Sequence, residues 1–287
     1  MLRIALPNKG RLADHARSVL VDAGLEIRSH GERALTASLG DRFEAIFVRA
    51  QDIPEFVADG AANAGITGWD LVAESGRALE SIADLGFGRC RLVVAATDGS
   101  GIDSLDAIPT NARVATSFPR ITEAFFARTK HQIELVPMSG ATEIAPHLGI
   151  ADIIVDLVST GSTLRVNGLH EISTVLESSA HVITAASTRP KDGVDRSLHN
   201  LVEALQSVLR ARTQRYLMAN VPRSRLDEVC AVLPGLNGPT VVDIMNSGLH
   251  VAVHAVVPAA DIYHVVASLR ALDAEGILVT RIERLMP

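Results

Sequence analysis

The sequence predicts an α/β protein in which a long portion of alternating strands and helices is followed by a compact β-α-β-β-α-β module. Three observations lead there. Short apolar runs alternate with helically spaced apolar residues from Leu2 onward. From Tyr216 the runs follow the order strand, helix, strand, strand, helix, strand, which is the ferredoxin-like arrangement. Between them, residues 152–169 read D-I-I-V-D-L-V-S-T-G-S-T-L-R-V-N-G-L, an apolar strand that feeds a turn of hydroxyls and glycine and then a short helical pattern.

That last stretch organises the chain. Ile153, Ile154, Val155, Leu157 and Val158 form a nearly continuous apolar run, as expected of a parallel-sheet strand covered on both faces. Ligands of such sheets sit beyond the carboxyl ends of the strands. There the sequence places Ser159, Thr160, Gly161, Ser162 and Thr163, hydroxyls around a glycine that lets the backbone turn its N–H groups toward an anion. Ser162 or Thr163 is positioned to cap a helix running to Asn167, whose first turn would add unpaired N–H donors. The G-x-x-x-x-G-K-[ST] spacing of a Walker A loop is absent. Asp156, at the strand end, suits a magnesium ion or a ribose hydroxyl beside the phosphate pocket. The same composition also describes an ordinary Ser/Thr-rich turn closing a strand.

With 287 residues the chain exceeds one typical domain, so two or three lobes are expected. Apolar residues make up 47% and charged residues 21%, as in ordinary soluble globular proteins. A net charge of −6 argues against a nucleic-acid partner held by a basic face. The two cysteines, Cys90 and Cys230, sit inside apolar patterns and suggest neither a disulfide framework nor a metal cluster. No apolar run is long enough to span a membrane. The opening M-L-R-I-A-L-P-N-K-G breaks too early for a signal peptide, so a cytoplasmic location is expected.

In chain order, residues 2–6 read as a strand, P-N-K-G as a turn, and Leu12, Ala16, Val19, Leu20 and Ala23 as the apolar face of a helix. Lys9, Gly10 and Arg11 stand at the start of that helix, where the dipole favours an anion; a solvated turn is the alternative. Residues 35–48 read as a hairpin around Gly40-Asp41, followed by Arg49 and a short helix ending at Gly60. Ala64-Gly65-Ile66-Thr67-Gly68 is a small-residue strand leading into a helix with Trp69 and Asp70. Asp70 suits either a first-turn acid or a partner for a ribose or base. The rhythm continues with strands at residues 92–96, 113–116 and 133–136, and with helices at 119–129 and 141–148. Glu143 falls in the first turn of the last of these, as a helix-start acid or a second carboxylate near Asp156. Residues 172–175 and 181–185 read as strands, 187–195 as punctuation and 198–209 as a long helix, with a domain seam near Arg212.

In the final module, residues 216–221, 240–244, 251–257 and 277–282 read as strands, and the faces carrying Leu226, Val229 and Cys230 and then Ile262, Val265 and Leu269 as helices. His250 and His254 alternate with valines, so they lie on the wetter face of their strand, and no H-x-x-x-H helix pair or nucleophile elbow occurs.

D-L-V-S-T-G-S-T-L-R-V-N-G-L resembles the phosphoribosyl-pyrophosphate loop of the ATP phosphoribosyltransferases, the first enzymes of histidine biosynthesis. L-P-N-K-G-R-L, G-I-T-G-W-D-L-V and G-A-T-E-I-A-P-H-L-G-I-A-D support the match in the same order. The resemblance covers the whole chain in the family's long form, which ends in a ferredoxin-like module. It implies a catalytic part of two periplasmic-binding-protein-like lobes: residues 1–88 plus 185–211, and residues 89–184. Residues 212–287 would form a regulatory, histidine-binding domain. It further implies that Thr160, Gly161, Ser162 and Thr163 hold the sugar 5-phosphate, that Asp156 meets ribose hydroxyls, and that Glu143 helps place Mg2+, making Glu143 and Asp156 the metal candidates. Lys9, Gly10, Arg11, Arg49 and Asp70 would serve ATP or the pyrophosphate from the opposite lobe. In the terminal module, Leu236, Gly238 and Thr240 would line the inhibitor pocket. Asn220 stands where an acid is expected to meet the amine of histidine. A homo-oligomer between dimer and hexamer is implied as well. The competing readings are a non-catalytic two-lobed solute-binding protein and a regulatory binding module.

Overall fold

The computed structural model describes residues 1–28, 31, 34–186, 192–233, 235, 236, 238–245 and 248–286. Its first layer is built by β1 (Leu2–Pro7), α1 (Arg11–Asp22), β2 (Ile27–Arg28), β3 (Thr36–Leu39), β4 (Phe43–Val48), α2 (Ile53–Ala58), β5 (Ala64–Gly68), α3 (Trp69–Ser75) and β6 (Leu79–Asp84). β1 lies between β4 and β5, parallel to both: α1 and the antiparallel β2 and β3 separate β1 from β4, and α2 separates β4 from β5. β3 and β4 form the expected hairpin, with Leu39 opposite Phe43. β6 escaped the sequence pattern: its L-E-S-I-A-D alternates weakly, as suits an edge strand with most of its side chains partly or fully exposed.

The chain then enters a second sheet: β7 (Cys90–Thr97), β8 (Ala112–Thr116), α4 (Pro119–Thr129), β9 (Ile133–Pro137), β10 (Ile153–Val158), α5 (Ser162–Val166) and β11 (Leu169–Ser178), in the order β11-β7-β10-β8-β9. β10 is the middle strand and is buried on both faces. Ile153 and Val155 join Phe118 and Phe126 on one side, while Ile154 and Val158 join Ala145, Leu164 and Leu169 on the other. Truncating fully buried Ile154 to Ala would cost about 2–5 kcal/mol. The expectation of a parallel-sheet strand is met on one side only: β10 runs parallel to β8 but antiparallel to β7. A run buried on both faces does not reveal strand direction. The helix expected at residues 141–148 is only a 3₁₀ turn, Thr142–Ile144. Pro146 has no N–H to return to Thr142, whose carbonyl instead accepts from Ala145 N at 3.1 Å.

The return to the first sheet comes earlier than the lobe boundary at residues 184–185 anticipated. β11 ends at Ser178 and β12 (Ala180–Ala185) already pairs antiparallel with β5 and β6. Beyond that crossing, α3 joins the two sheets through Glu74, whose carboxylate accepts from Arg120 N and Ile121 N, each at 3.0 Å, at the start of α4. This satisfies two of the orphan donors of α4 with an anion, as a helix start favours.

α6 (Asp192–Arg212) extends the expected helix at both ends; residues 187–191, read as punctuation, lie outside the described residues. The chain divides into two compact units within this helix, after Val202, with Asp22–Gly24 counted in the second unit. The second unit contains β13 (Gln214–Pro222), α7 (Leu226–Val232), β14 (Thr240–Asp243), β15 (His250–Pro258), α8 (Ile262–Ala271) and β16 (Glu275–Arg281). Sheet order β14-β15-β13-β16, antiparallel throughout, is the ferredoxin-like topology. Leu217, Ala219, Val221, Val251, Val253 and Val257 face the two helices and meet Val229 and Leu269.

Candidate active site

β8, β9 and β10 are parallel, so the segments following them gather at one end of the second sheet. After Val158, Ser159 and Thr160 lead to Gly161, whose φ of +73° is the left-handed conformation that a side chain disfavours. Gly161 itself is the N-cap of α5. Neither Ser162 nor Thr163 caps the helix, contrary to expectation, since both already lie in its first turn; the Ser162 hydroxyl instead meets that of Thr160 at 2.9 Å. The first-turn N–H groups of such a helix have no intrahelical acceptor.

These residues line a cavity of about 400 Å³ together with Arg11, Glu143 and Asp156. Asp156 Oδ1 accepts from Leu157 N at 2.7 Å and Oδ2 accepts from the Thr142 hydroxyl. Burial raises its carboxyl pKa above the ordinary value and the Glu143 charge adds to this, against the two hydrogen bonds. Thr142 is buried, and Ala141 just before it takes a left-handed φ of +54°. Such a conformation costs a non-glycine residue about 1–2 kcal/mol.

Among the residues expected from the first lobe, the structure brings Arg11 to this cavity. Lys9 and Gly10 are exposed in the turn before α1, and Arg49 precedes the 3₁₀ turn Ala50–Asp52. Asp70 falls in the first turn of α3, one of the two places expected for it. It is only 5% exposed, and its carboxylate accepts from the Ser178 hydroxyl at 2.6 Å, whose oxygen accepts from Asp70 N at 2.9 Å. Asp70 thus ties α3 to the end of β11. Lys9, Gly10, Arg49 and Asp70 line neither this cavity nor the second one described next.

A second cavity, of about 490 Å³, shares Ser159 with the first. Trp69 and His181 form one wall, with ring centroids 5.1 Å apart and planes tilted by 36°. Asp84, Arg89, Arg91 and Glu177 supply charge around them. Burial lowers the His181 pKa, with Asp84 opposing, so the imidazole is neutral near pH 7. The Cys90 thiol, also at this wall, is pushed up by burial and by the Asp70 charge, which keeps it from being a thiolate. Sequence reading missed this site. Its one local signal was the pair of arginines in G-F-G-R-C-R directly after a strand; the other members are contributed by separate elements.

In the second unit, Asn220 and Thr240 lie on the sheet face opposite the helices: Asn220 pairs with Ala252 and Glu275, and Thr240 with His254. Leu236 and Gly238 belong to the loop before β14; Pro234 and Asn237 of the same motif lie outside the described residues. Gly238 has a φ of +93°, and a Cβ on Gly235 would meet its carbonyl oxygen at 2.8 Å, so the loop folds tightly on itself. Among the described residues no group of three or more His, Cys, Asp or Glu is arranged to hold a metal.

The model of the ATP phosphoribosyltransferase family matches residues 49–207, and the model of that family's C-terminal domain matches residues 211–284. A protein of Gemmatimonas aurantiaca described as ATP phosphoribosyltransferase is 66% identical over the whole of both chains. One of Methanocaldococcus jannaschii with the same description is 42% identical, again end to end. Among solved structures, a chain of the ATP phosphoribosyl transferase (HisG:HisZ) complex from Thermotoga maritima is similar with a TM-score of 0.63 and 28% identity. That likeness covers 73% of this chain and 99% of the other.

Proposed function

The chain belongs to the ATP phosphoribosyltransferase family, and on that premise we propose that its two adjoining cavities divide the two substrates between them. The enzyme catalyses the first step of histidine biosynthesis, joining the phosphoribosyl group of phosphoribosyl pyrophosphate to N1 of ATP with release of pyrophosphate. ATP is the nucleophile here. Positive charge develops at C1 of the ribose as the polyanion departs, so the tasks of the site are alignment and electrostatic stabilisation.

In the first cavity, Thr160, Gly161, Ser162 and Thr163 take the 5-phosphate through hydroxyls and backbone N–H groups. Asp156 accepts from ribose hydroxyls. Arg11, across the same cavity, meets the pyrophosphate as it gains charge. Lys9, Gly10 and Arg49 assist from the neighbouring turns. The two carboxylates Glu143 and Asp156 suit Mg2+, which commonly binds through one or two carboxylates and completes its shell with water and substrate phosphates. That ion would neutralise pyrophosphate charge when bound. ATP lies in the second cavity, with its base on the Trp69–His181 wall and its phosphates toward Arg89 and Arg91. Arg91 is already paired with Glu171 at 2.6 Å and would have to divide its donors. Convergence of Arg11, Glu143, Asp156 and the hydroxyl turn on one cavity that shares Ser159 with an aromatic-walled one carries this reading.

The same reading makes residues 1–88 with 185–211 and residues 89–184 the catalytic lobes, with the crossing moved to Ser179, and residues 212–287 a histidine-responsive regulatory domain of a cytoplasmic homo-oligomer. Asn220, Leu236, Gly238 and Thr240 would meet the inhibitor. The experiment follows the ultraviolet absorbance of N1-substituted adenine with both substrates and magnesium, with and without L-histidine. Asp156→Asn is expected to lower turnover by at least about tenfold without loss of fold. Turnover near that of the unaltered enzyme would remove Asp156 from the site, and an undiminished rate in histidine would remove the regulatory assignment.

A further inference from the structure

We infer that the one free carboxylate oxygen of Asp84, at the edge of the Trp69–His181 wall, selects adenine over guanine in the second cavity. This rests on the proposal that the cavity receives the nucleotide. The wall is rigid: His181 Nδ1 is hydrogen-bonded to the Ser81 hydroxyl at 2.6 Å and Nε2 to the Ser179 hydroxyl at 3.2 Å. With both nitrogens held and the ring neutral, the imidazole stays fixed against the indole at the 36° tilt, an aromatic surface suited to a purine.

Asp84 stands at the end of β6, with Oδ1 3.8 Å from His181 Nε2. That oxygen accepts from Gly86 N at 2.8 Å and from the Ser179 hydroxyl at 2.6 Å, so its lone pairs are used. Among the described residues, Oδ2 receives no hydrogen bond, and the side chain is 54% exposed. Burial works against its charge, but the Ser179 and Gly86 bonds and the charges of His181 and Arg89 outweigh it and hold the carboxyl below its ordinary pKa. Asp84 therefore offers one acceptor and no donor at neutral pH.

Adenine presents an amino donor at C6, whereas guanine presents a carbonyl acceptor there. A lone acceptor oxygen is satisfied by the first and repelled by the second. A carboxylate can also grip guanine by accepting from N1–H and the 2-amino group together, but that needs both oxygens, and Oδ1 is already engaged. Holding the 6-amino group leaves the neighbouring N1 lone pair open for attack. Glu177 is the other carboxylate of the cavity and the rival for this role.

Trp69 is the one tryptophan of the sequence, so its emission reports on this wall alone. The full-length protein is titrated with ATP, GTP and purine riboside triphosphate, which lacks only the 6-amino group, without phosphoribosyl pyrophosphate. The unaltered protein is expected to bind ATP at least about tenfold more tightly than either analogue. In Asp84→Asn the amide oxygen must face Gly86 and Ser179, which puts an NH2 donor in place of Oδ2. The preference for ATP over GTP should then vanish or invert, while Glu177→Gln keeps it. Unchanged preference in Asp84→Asn, equal binding of purine riboside triphosphate, or loss of preference in Glu177→Gln would overturn the selection by Asp84 while leaving the cavity as a nucleotide site. No response of Trp69 emission to any nucleotide would overturn the cavity assignment, and the selection with it.

Discussion

The two cavities are neighbours built on opposite plans. The first draws most of its lining from one uninterrupted stretch, Asp156 to Leu164, so its shape is set by local backbone geometry: a strand end, one left-handed glycine and one helical turn. The second is assembled from the start of α3, the end of β6, the start of β7 and the region where β11 gives way to β12. Its members meet only through tertiary packing, and its binding surface consists of rings and long charged side chains rather than backbone. A loop of the first kind is expected to fail abruptly when one dihedral angle is disturbed, and an assembled wall of the second kind to weaken by degrees.

Substitutions can test that contrast. Gly161→Val should have the largest effect, because a β-branched residue at a φ of +73° forces the turn to rearrange. The KM for phosphoribosyl pyrophosphate is expected to rise by about 10–30-fold while that for ATP holds. Equal changes in both would show that the cavities are not separate. Trp69→Leu removes the stacking face but leaves an apolar surface, so the KM for ATP should rise by about 3–10-fold, with that for phosphoribosyl pyrophosphate unchanged. Thr142→Val keeps volume while removing the donor to Asp156. Turnover is expected to fall by about fivefold, to recover in Thr142→Ser, and to leave the ATP KM alone. Failure of serine to restore the rate would reduce Thr142 to a packing role.

The smallest effect concerns pH. The His181 pKa is depressed in the fold, so the stability of its neutral form is intact above the ordinary imidazole value of about 6.5 and is lost as pH falls below it. Between about pH 7.5 and 5.5 the unaltered protein should lose a few degrees more of its thermal midpoint than His181→Gln. Equal losses would separate His181 from that stability.

The same contrast explains what could be read in advance. β10, α4, the β3–β4 hairpin and the terminal module follow hydrophobic period and turn chemistry, which are local properties. The cradle was legible for the same reason: Ser159 to Thr163 carry their chemistry in one short run. Strand direction around β10 was not legible, since burial on both faces gives the same sequence in a parallel or an antiparallel setting. Asp70 was legible as a first-turn acid, but its burial against Ser178 was not, since that bond joins residues 108 positions apart. Trp69, Asp84 and His181 carried no shared signal at all. Thr142 was hidden behind Glu143, its more conspicuous neighbour.

Ser179 serves two tasks at once: it lies on the return path from the second sheet to the first, and its hydroxyl occupies one oxygen of Asp84. For an engineer this makes nucleotide preference and the crossing inseparable design variables. Retuning the base by editing Ser179 also edits a connection between the sheets, whereas Asp84 on its own edge strand can be exchanged with the crossing left intact. Redesign for another purine should therefore begin at Asp84 and keep Ser179 fixed.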